Sequence, residues 1–439
     1  MTILHRLAGL IACGFLSWAG PVCADAVTDW NEIAQPAIAA GRPGPSGALD
    51  SALVQVAVHD AVQAIDRRFE PYHVEIKGAN RLRSVAGARS AAVAAAAHDV
   101  LVGLYPSQAT YLDTAYFNYL ANNGLGGNPG LEVGQKAAAG ILPLARRAPD
   151  PLPPAFVGGT NIGQWRPTQS FLPGPPASFS PMAVSYMANL DPYTLTSPTR
   201  FRAEPPPALT SERYRKDYDE VKALGALTGS SRTAEQTDIA YFYSENFVAQ
   251  WNRALRAIAV TNIRKLGDSA RLFALANVAT ADALISSWDS KKYYNIWRPI
   301  TAIREGDNDT NPYTVGDPTW QSLINNPNYP DYTSGANNVT GAMTRSLALF
   351  FGRNKMTFDV TSLAPLAVQK TRTYNRFSDA AQDVVDARIY LGIHFRFADT
   401  AARKQGGRVA EWVYDHFLLP VGDDDHDHKD GHDDDDDKD

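Results

Sequence analysis

The sequence predicts a predominantly helical protein, on three observations. Ala-rich apolar runs fill residues 50–104, apolar residues at helical spacing return over 233–296 behind a capping-box pattern, and a Ser-Gly turn leads another helical stretch over 334–351. With 439 residues and 44% hydrophobic composition the chain can bury a large core. The formal charge of -6 is unevenly spread: residues 421–439 hold eleven Asp against two Lys, or -9, which leaves residues 1–420 at +3. No broad basic surface follows, so nucleic acid is not an expected partner.

The chain opens with His5 and Arg6, an apolar run from Leu7 to Ala19, and Val22-Cys23-Ala24. This reads as a signal peptide over residues 1–24, cleaved near Ala24, and implies an exported protein, periplasmic or extracellular. Leu10-Ile11-Ala12-Cys13 fits a lipoprotein cleavage box less well, because the apolar run continues past Cys13. Both cysteines lie in this leader, so Cys-ligated metal, disulfides and a Cys nucleophile are not expected of the mature chain. No later apolar run reaches the ~20 residues a membrane helix needs. The remainder, 25–420, is read as one large helical domain, with an N-terminal helical part over 25–207 and a second part over 208–420.

In the first part, Val56–Ile65 and Ala88–Leu104 are expected to be buried helices, each carrying a His-Asp pair, His59-Asp60 and His98-Asp99. Buried polar groups usually find partners, which favours a structural role for both pairs over a catalytic one. Between Asn122 and Pro207 glycine and proline recur, giving either a long ordered excursion on the helical body or a tether between two halves. Thr233-Ala-Glu-Gln236 then begins a helix as a capping box, with helical spacing from Asp238 to Arg264 and a further helix over Ser269–Ile296. Asp282 falls inside that run, as a partner for an Arg or as a solvated acid.

Chemistry concentrates in three short stretches. Lys291 and Arg298 are seven residues apart, which on a continuous helix returns to nearly the same face about 10 Å along. Pro299 disfavours helical geometry at Arg298, so the second cation is expected where the helix ends or kinks. Ser334-Gly335 enters a helix whose first N–H groups and positive dipole end would cradle an anion. Arg388 and His394 are six residues apart and about 240° around a helix, so a break near Gly392 is needed to turn both inward. Together these supply three cations, backbone and hydroxyl donors, and an imidazole walled by aromatic residues. A tetrahedral oxyanion is the ligand such a set suits.

Lys-x6-Arg-Pro, Ser-Gly and Arg-x5-His, in that order, resemble the vanadium-dependent haloperoxidases and the related type 2 phosphatidic acid phosphatase superfamily. Gln250-Trp-Asn-Arg-Ala-Leu-Arg256, Ala281-Asp-Ala-Leu-Ile285 and Gly392-Ile-His-Phe-Arg-Phe397 extend the resemblance over roughly residues 230–412. It implies an all-α fold of helical bundles, joined here by long Pro/Gly-rich loops. It also implies that Lys291, Arg298, Ser334, Gly335 and Arg388 bind the oxyanion, with His394 the axial ligand to vanadium in vanadate or the phosphatase nucleophile. Two departures stand out. The family's Pro-Ser-Gly-His motif reads Thr333-Ser334-Gly335-Ala336 here, so the general acid/base is replaced by a methyl group. The family's acid four residues after the last histidine is Ala398, with Asp399 one place later, which leaves the partner of His394 Nδ1 to Asp399 or a backbone carbonyl.

Three accounts fit these departures. The protein is a haloperoxidase-like enzyme acting on hydrogen peroxide and halide, with a proton donor from Asn337, Asn338, His59 or His98. Alternatively it is a phosphatase-like, vanadate-independent enzyme on phosphate esters, or a non-catalytic binder of phosphate or vanadate. The acidic tail, 421–439, reads as a solvated segment in which His426, His428 and His432 would bind divalent cations weakly. Asp434–Lys438 also resembles an engineered tag. Oligomeric state is not encoded in any feature of the sequence.

Overall fold

A computed structural model describes residues 24–168 and 180–422. The leader and nearly all of the acidic tail therefore fall outside the described residues. Thirteen α-helices run in chain order: α1 Ala26–Gly41, α2 Gly47–Asp66, α3 Ala88–Leu104, α4 Ala109–Asn122, α5 Gly130–Ile141, α6 Glu212–Leu224, α7 Ala234–Phe242, α8 Phe247–Asn262, α9 Leu266–Tyr294, α10 Pro299–Arg304, α11 Gly335–Phe350, α12 Phe377–Tyr390 and α13 Arg396–His416. The expected all-α class holds, with a single hairpin of β1 Lys355–Thr361 and β2 Thr371–Arg376 added between α11 and α12. Among the described residues no helix is long and apolar enough to cross a membrane.

The 29-residue α9 is the shared element of two helical layers. On one side it packs on α2, which in turn packs on α3 and α5; on the other it packs on α11 and α13. Its residues from Ser269 to Lys291 are buried throughout, so it has no solvent face over most of its length, as expected for a helix enclosed by others. Close approach between α11 and α13 depends on two glycines. A Cβ on Gly341 would sit 2.2 Å from Arg403 O, and one on Gly406 would sit 2.1 Å from Asn338 O. These contacts fix the middle of α13 against the first half of α11, next to where the site forms.

Several local readings hold and several need correction. Thr233 and Gln236 form the reciprocal capping box at the start of α7. The segment expected as one helical run from Asp238 is broken at Tyr243, and Asn246 caps a new helix, α8, by accepting from Val248 N and Ala249 N. Within the Gly/Pro-rich stretch, residues 130–141 form a full helix, α5. The described remainder of that stretch is an ordered layer over α9: Trp165 N donates to Asn295 O, and Trp297 N to Gly163 O. Asp282 is neither solvated nor paired with an Arg. It is fully buried and accepts from Tyr193 N, Thr194 N and Thr194 Oγ1 at 2.5–2.8 Å, pinning this layer to α9.

Candidate oxyanion site

Lys291 lies in the last turn of α9, but Arg298 does not share that helix. The helix ends at Tyr294, where Asn295 takes a left-handed conformation (φ 49°), and Arg298 is the N-cap residue of α10 with Pro299 as its first helical residue. The two cations converge through this turn, not along one helix face. Both lie 4.8 Å from the centroid of the Tyr329 ring, which they flank, and both are fully buried. Lys291 Nζ donates to Pro330 O and Asp331 O; Arg298 donates through Nε to Tyr329 O and through Nη1 to Ile393 O.

The break expected near Gly392 is present. Helix α12 ends at Tyr390, Gly392 adopts φ 75°, and α13 begins at Arg396. A Cβ at Gly392 would meet Gly225 O at 2.4 Å, so both the conformation and the close backbone approach require glycine. The turn brings Arg388, from the end of α12, and His394 into the same buried region. Phe395 and Phe397, which follow His394 in the chain, stack at 5.1 Å, and Tyr214 lies 5.6 Å from Phe395 in one buried apolar cluster. Arg396 points away and ties α13 to Glu220 and Asp386.

His394 is oriented from a direction the sequence did not indicate. Its Nδ1 lies 2.7 Å from Asp331 Oδ1, and the Asp331 backbone also acts on the ring, whereas Asp399 bonds Asn337 instead. Its Nε2 lies 3.3 Å from Arg298 Nη1. A guanidinium can only donate, so Nε2 is the acceptor and the ring proton sits on Nδ1, facing the Asp331 carboxylate. Burial and the cations Arg298, Lys291 and Arg388 push the imidazole well below its usual pKa. A neutral ring with its lone pair directed into the pocket results. Asp331 carries a sequence signal in hindsight: it is the sole charged residue between Asp317 and Arg345.

Ser334 precedes α11 as its N-cap residue, with Gly335 and Ala336 as the first two helical residues. The turn is clamped on three sides. Ser287 Oγ donates to Thr333 O, Thr333 Oγ1 bonds Gln405 Oε1, and Asn338 Nδ2 bonds Thr333 Oγ1. Ser334 makes no side-chain cap, so its buried hydroxyl stays available beside the free N–H groups of the first turn. Asp399, on α13, accepts from Asn337 Nδ2 at 2.7 Å and is fully buried. Burial raises its carboxyl to about 7, against the lowering effects of Ser334, Arg388 and Asn337.

The structure therefore brings Lys291, Arg298, Ser334, Gly335, Arg388 and His394 together, with Ala336 contributing a buried methyl. It adds Tyr329, Asp331, Asn337 and Asp399 as neighbours that spacing alone had not placed. His59 and His98 belong elsewhere. His59 Nε2 bonds Glu70 O, and His98 is held between Asp99 and Asp113 and stacked on Tyr116.

A property beyond convergence marks this region. Arg298 Nη2, Arg388 Nε and Ser334 Oγ are buried donors without hydrogen-bond partners. Burial lowers the pKa of Lys291, Arg298 and Arg388, so three cations are held in a medium that disfavours their charge. Unpaired donors on crowded cations are matched by a multi-oxygen anion, which supplies both acceptors and negative charge. The residues thus fit vanadate or phosphate as a group.

The chain is similar to known proteins in sequence and in fold. Residues 271–422 match the model of the VCPO second helical-bundle domain. The vanadium chloroperoxidase of Curvularia inaequalis is 27% identical over 277 residues, a match spanning 47% of this chain and 44% of that enzyme. The structure of a bacterial vanadium-dependent iodoperoxidase superposes with a TM-score of 0.72 at 23% identity, covering 90% of this chain and 96% of that one. A holo-type bacterial vanadium-dependent chloroperoxidase gives 0.69 at 16% identity, covering 85% and 92%. Over its second helical bundle the chain is thus similar in sequence to the VCPO domain, and its described body shares the helical fold of these vanadium-dependent haloperoxidase structures.

Proposed function

We propose that the protein is a haloperoxidase-like enzyme that binds vanadate in the pocket formed by Lys291, Arg298, Ser334, Gly335, Arg388 and His394. The observation that carries this reading is the set of unpaired buried donors on Arg298, Arg388 and Ser334 around an imidazole whose Nε2 is unprotonated and faces Arg298 Nη1 at 3.3 Å. The three cations and the start of α11 would hold the oxygens, and His394 Nε2 would ligate vanadium. When bound, vanadate supplies a Lewis-acid centre that activates hydrogen peroxide toward halide. The protein's part is to hold that group dry, keep Nε2 unprotonated through the Asp331 contact, and place donors where negative charge collects. The leader-like residues 1–24 support an exported location, and the packing of α9 against both layers supports one domain over 25–420.

The test is direct. The full chain, incubated with vanadate and given hydrogen peroxide with bromide or chloride, is expected to oxidise halide, and His394→Ala is expected to abolish this by about 10³-fold or more. Hydrolysis of phosphate esters with vanadate acting only as an inhibitor would replace this reading with a phosphatase. Oxyanion binding without either activity would leave a binding protein.

A further inference from the structure

We infer that Asp399 is the proton donor of this site, acting from its free carboxyl oxygen toward an oxygen of the bound anion. The inference rests on reading the pocket as an oxyanion site. The position that carries the family's acid/base is Ala336, a buried methyl. Asn337 and Asn338 donate hydrogen bonds but carry no transferable proton, and His59 and His98 are committed elsewhere. Of the titratable groups that remain, Lys291 is engaged by two carbonyls, the arginines do not give up protons, and Asp331 and His394 hold each other.

Asp399 differs from all of these. One oxygen is fixed by Asn337 Nδ2 at 2.7 Å, and the other, Oδ2, is buried without a hydrogen-bond partner. The groups that act on it are members of the pocket itself: the Ser334 hydroxyl, which interacts with the carboxyl and lowers its pKa, and Arg388 at the end of α12. Lys291 from α9, Arg298 at the start of α10 and Asp331 before α11 also face it, and Arg396 lies on its own helix. Burial outweighs these cations and holds the carboxyl protonated up to about pH 7. A general acid needs that value if it is to hold a proton and still release it near neutrality. In the transfer the Asp399 O–H bond breaks and an O–H bond forms on the anion's oxygen. The carboxylate left behind is stabilised by Arg388 and the Asn337 amide, and a proton from water restores it.

Sulfate is the probe, because it is tetrahedral and does not titrate between about pH 5 and about pH 9. Calorimetric titration of the full chain is expected to show binding with uptake of about one proton above about pH 7, and affinity falling about tenfold per pH unit there. Asp399→Asn keeps the shape and the burial, so it should bind sulfate with this pH step removed. Asn337→Ala removes a hydrogen bond that lowers the Asp399 pKa and should move the step upward. With vanadate and peroxide, Asp399→Asn should lower kcat about 10²-fold, with a smaller change in KM. A pH step that persists unchanged in folded Asp399→Asn would overturn the inference and leave the oxyanion site standing. Sulfate binding indifferent to Arg298→Ala, or no competition between sulfate and vanadate, would overturn the site reading itself.

Discussion

Two sets of buried carboxylates separate structure from function in this molecule. Asp60 and Asp282, on α2 and α9, are buried, raised to about 6 by that burial, and engaged at both oxygens. Asp60 accepts from the N–H groups of Tyr72, His73 and Val74, and Asp282 from Tyr193 and Thr194. Asp331 and Asp399 are equally buried, but each has one oxygen engaged and one without a partner. Burial alone therefore does not distinguish the two sets. What sets Asp331 and Asp399 apart from Asp60 and Asp282 is an unmatched oxygen close to the cations Lys291, Arg298 and Arg388.

The contrast can be broken or sharpened by experiment. The largest expected effect on stability is from Asp282→Ala, which strands two backbone N–H groups and a hydroxyl; a loss of about 3–5 kcal/mol is expected in denaturant unfolding. Asp399→Asn should cost less than about 1 kcal/mol in the same assay, because it strands no donor. If both variants lost equal stability, the distinction between the two sets would fail.

A second test uses His59, whose pKa is lowered by burial to about 4 from an ordinary 6.5. The unfolded state therefore binds the proton first, and stability falls as pH drops from 6.5 toward about 4, by up to about 3 kcal/mol. His59→Gln should remove that part of the slope, seen as a smaller difference in unfolding free energy between neutral and acidic buffer. Asp60 and Asp282 titrate in the opposite sense. With folded pKa values raised above the ordinary carboxyl range, they favour the folded state at low pH and lose that effect as pH rises through about 6.

The smallest expected effect on activity comes from adding a group to the unmatched side. Ala336→His, shown folded by thermal unfolding, should raise halide oxidation about tenfold, equivalent to roughly 1.4 kcal/mol of barrier. No change in an intact fold would mean that position 336 does not limit turnover.

The sequence made some of this legible and hid the rest for physical reasons. Helices with long buried or capped runs, such as α2, α3, α7 and α9, follow from composition and spacing, which are local properties. The break at Gly392 was legible because Arg388 and His394 could not otherwise face one site. The convergence of Lys291 and Arg298 was legible, and Pro299 signalled the non-helical geometry found at Arg298, but the left-handed turn at Asn295 that takes the two off one helix gives no comparable signal. The hairpin was overlooked although Met356, Phe358 and Val360 alternate into the core. Asp331 and Asp399 were the hardest to place. Their partners lie 63 and 62 residues away in the chain, and no spacing rule reaches across a fold.

The clamp on Thr333 also has a consequence for how the site would evolve. Ser287, Asn338 and Gln405 hold the turn from three different helices, and none of these contacts involves residue 336. The turn proposed to bind the anion is thus supported independently of its neighbour. On that proposal, a chain built this way could exchange the residue at 336 while retaining the turn, so binding and proton delivery would become separately adjustable properties of one loop.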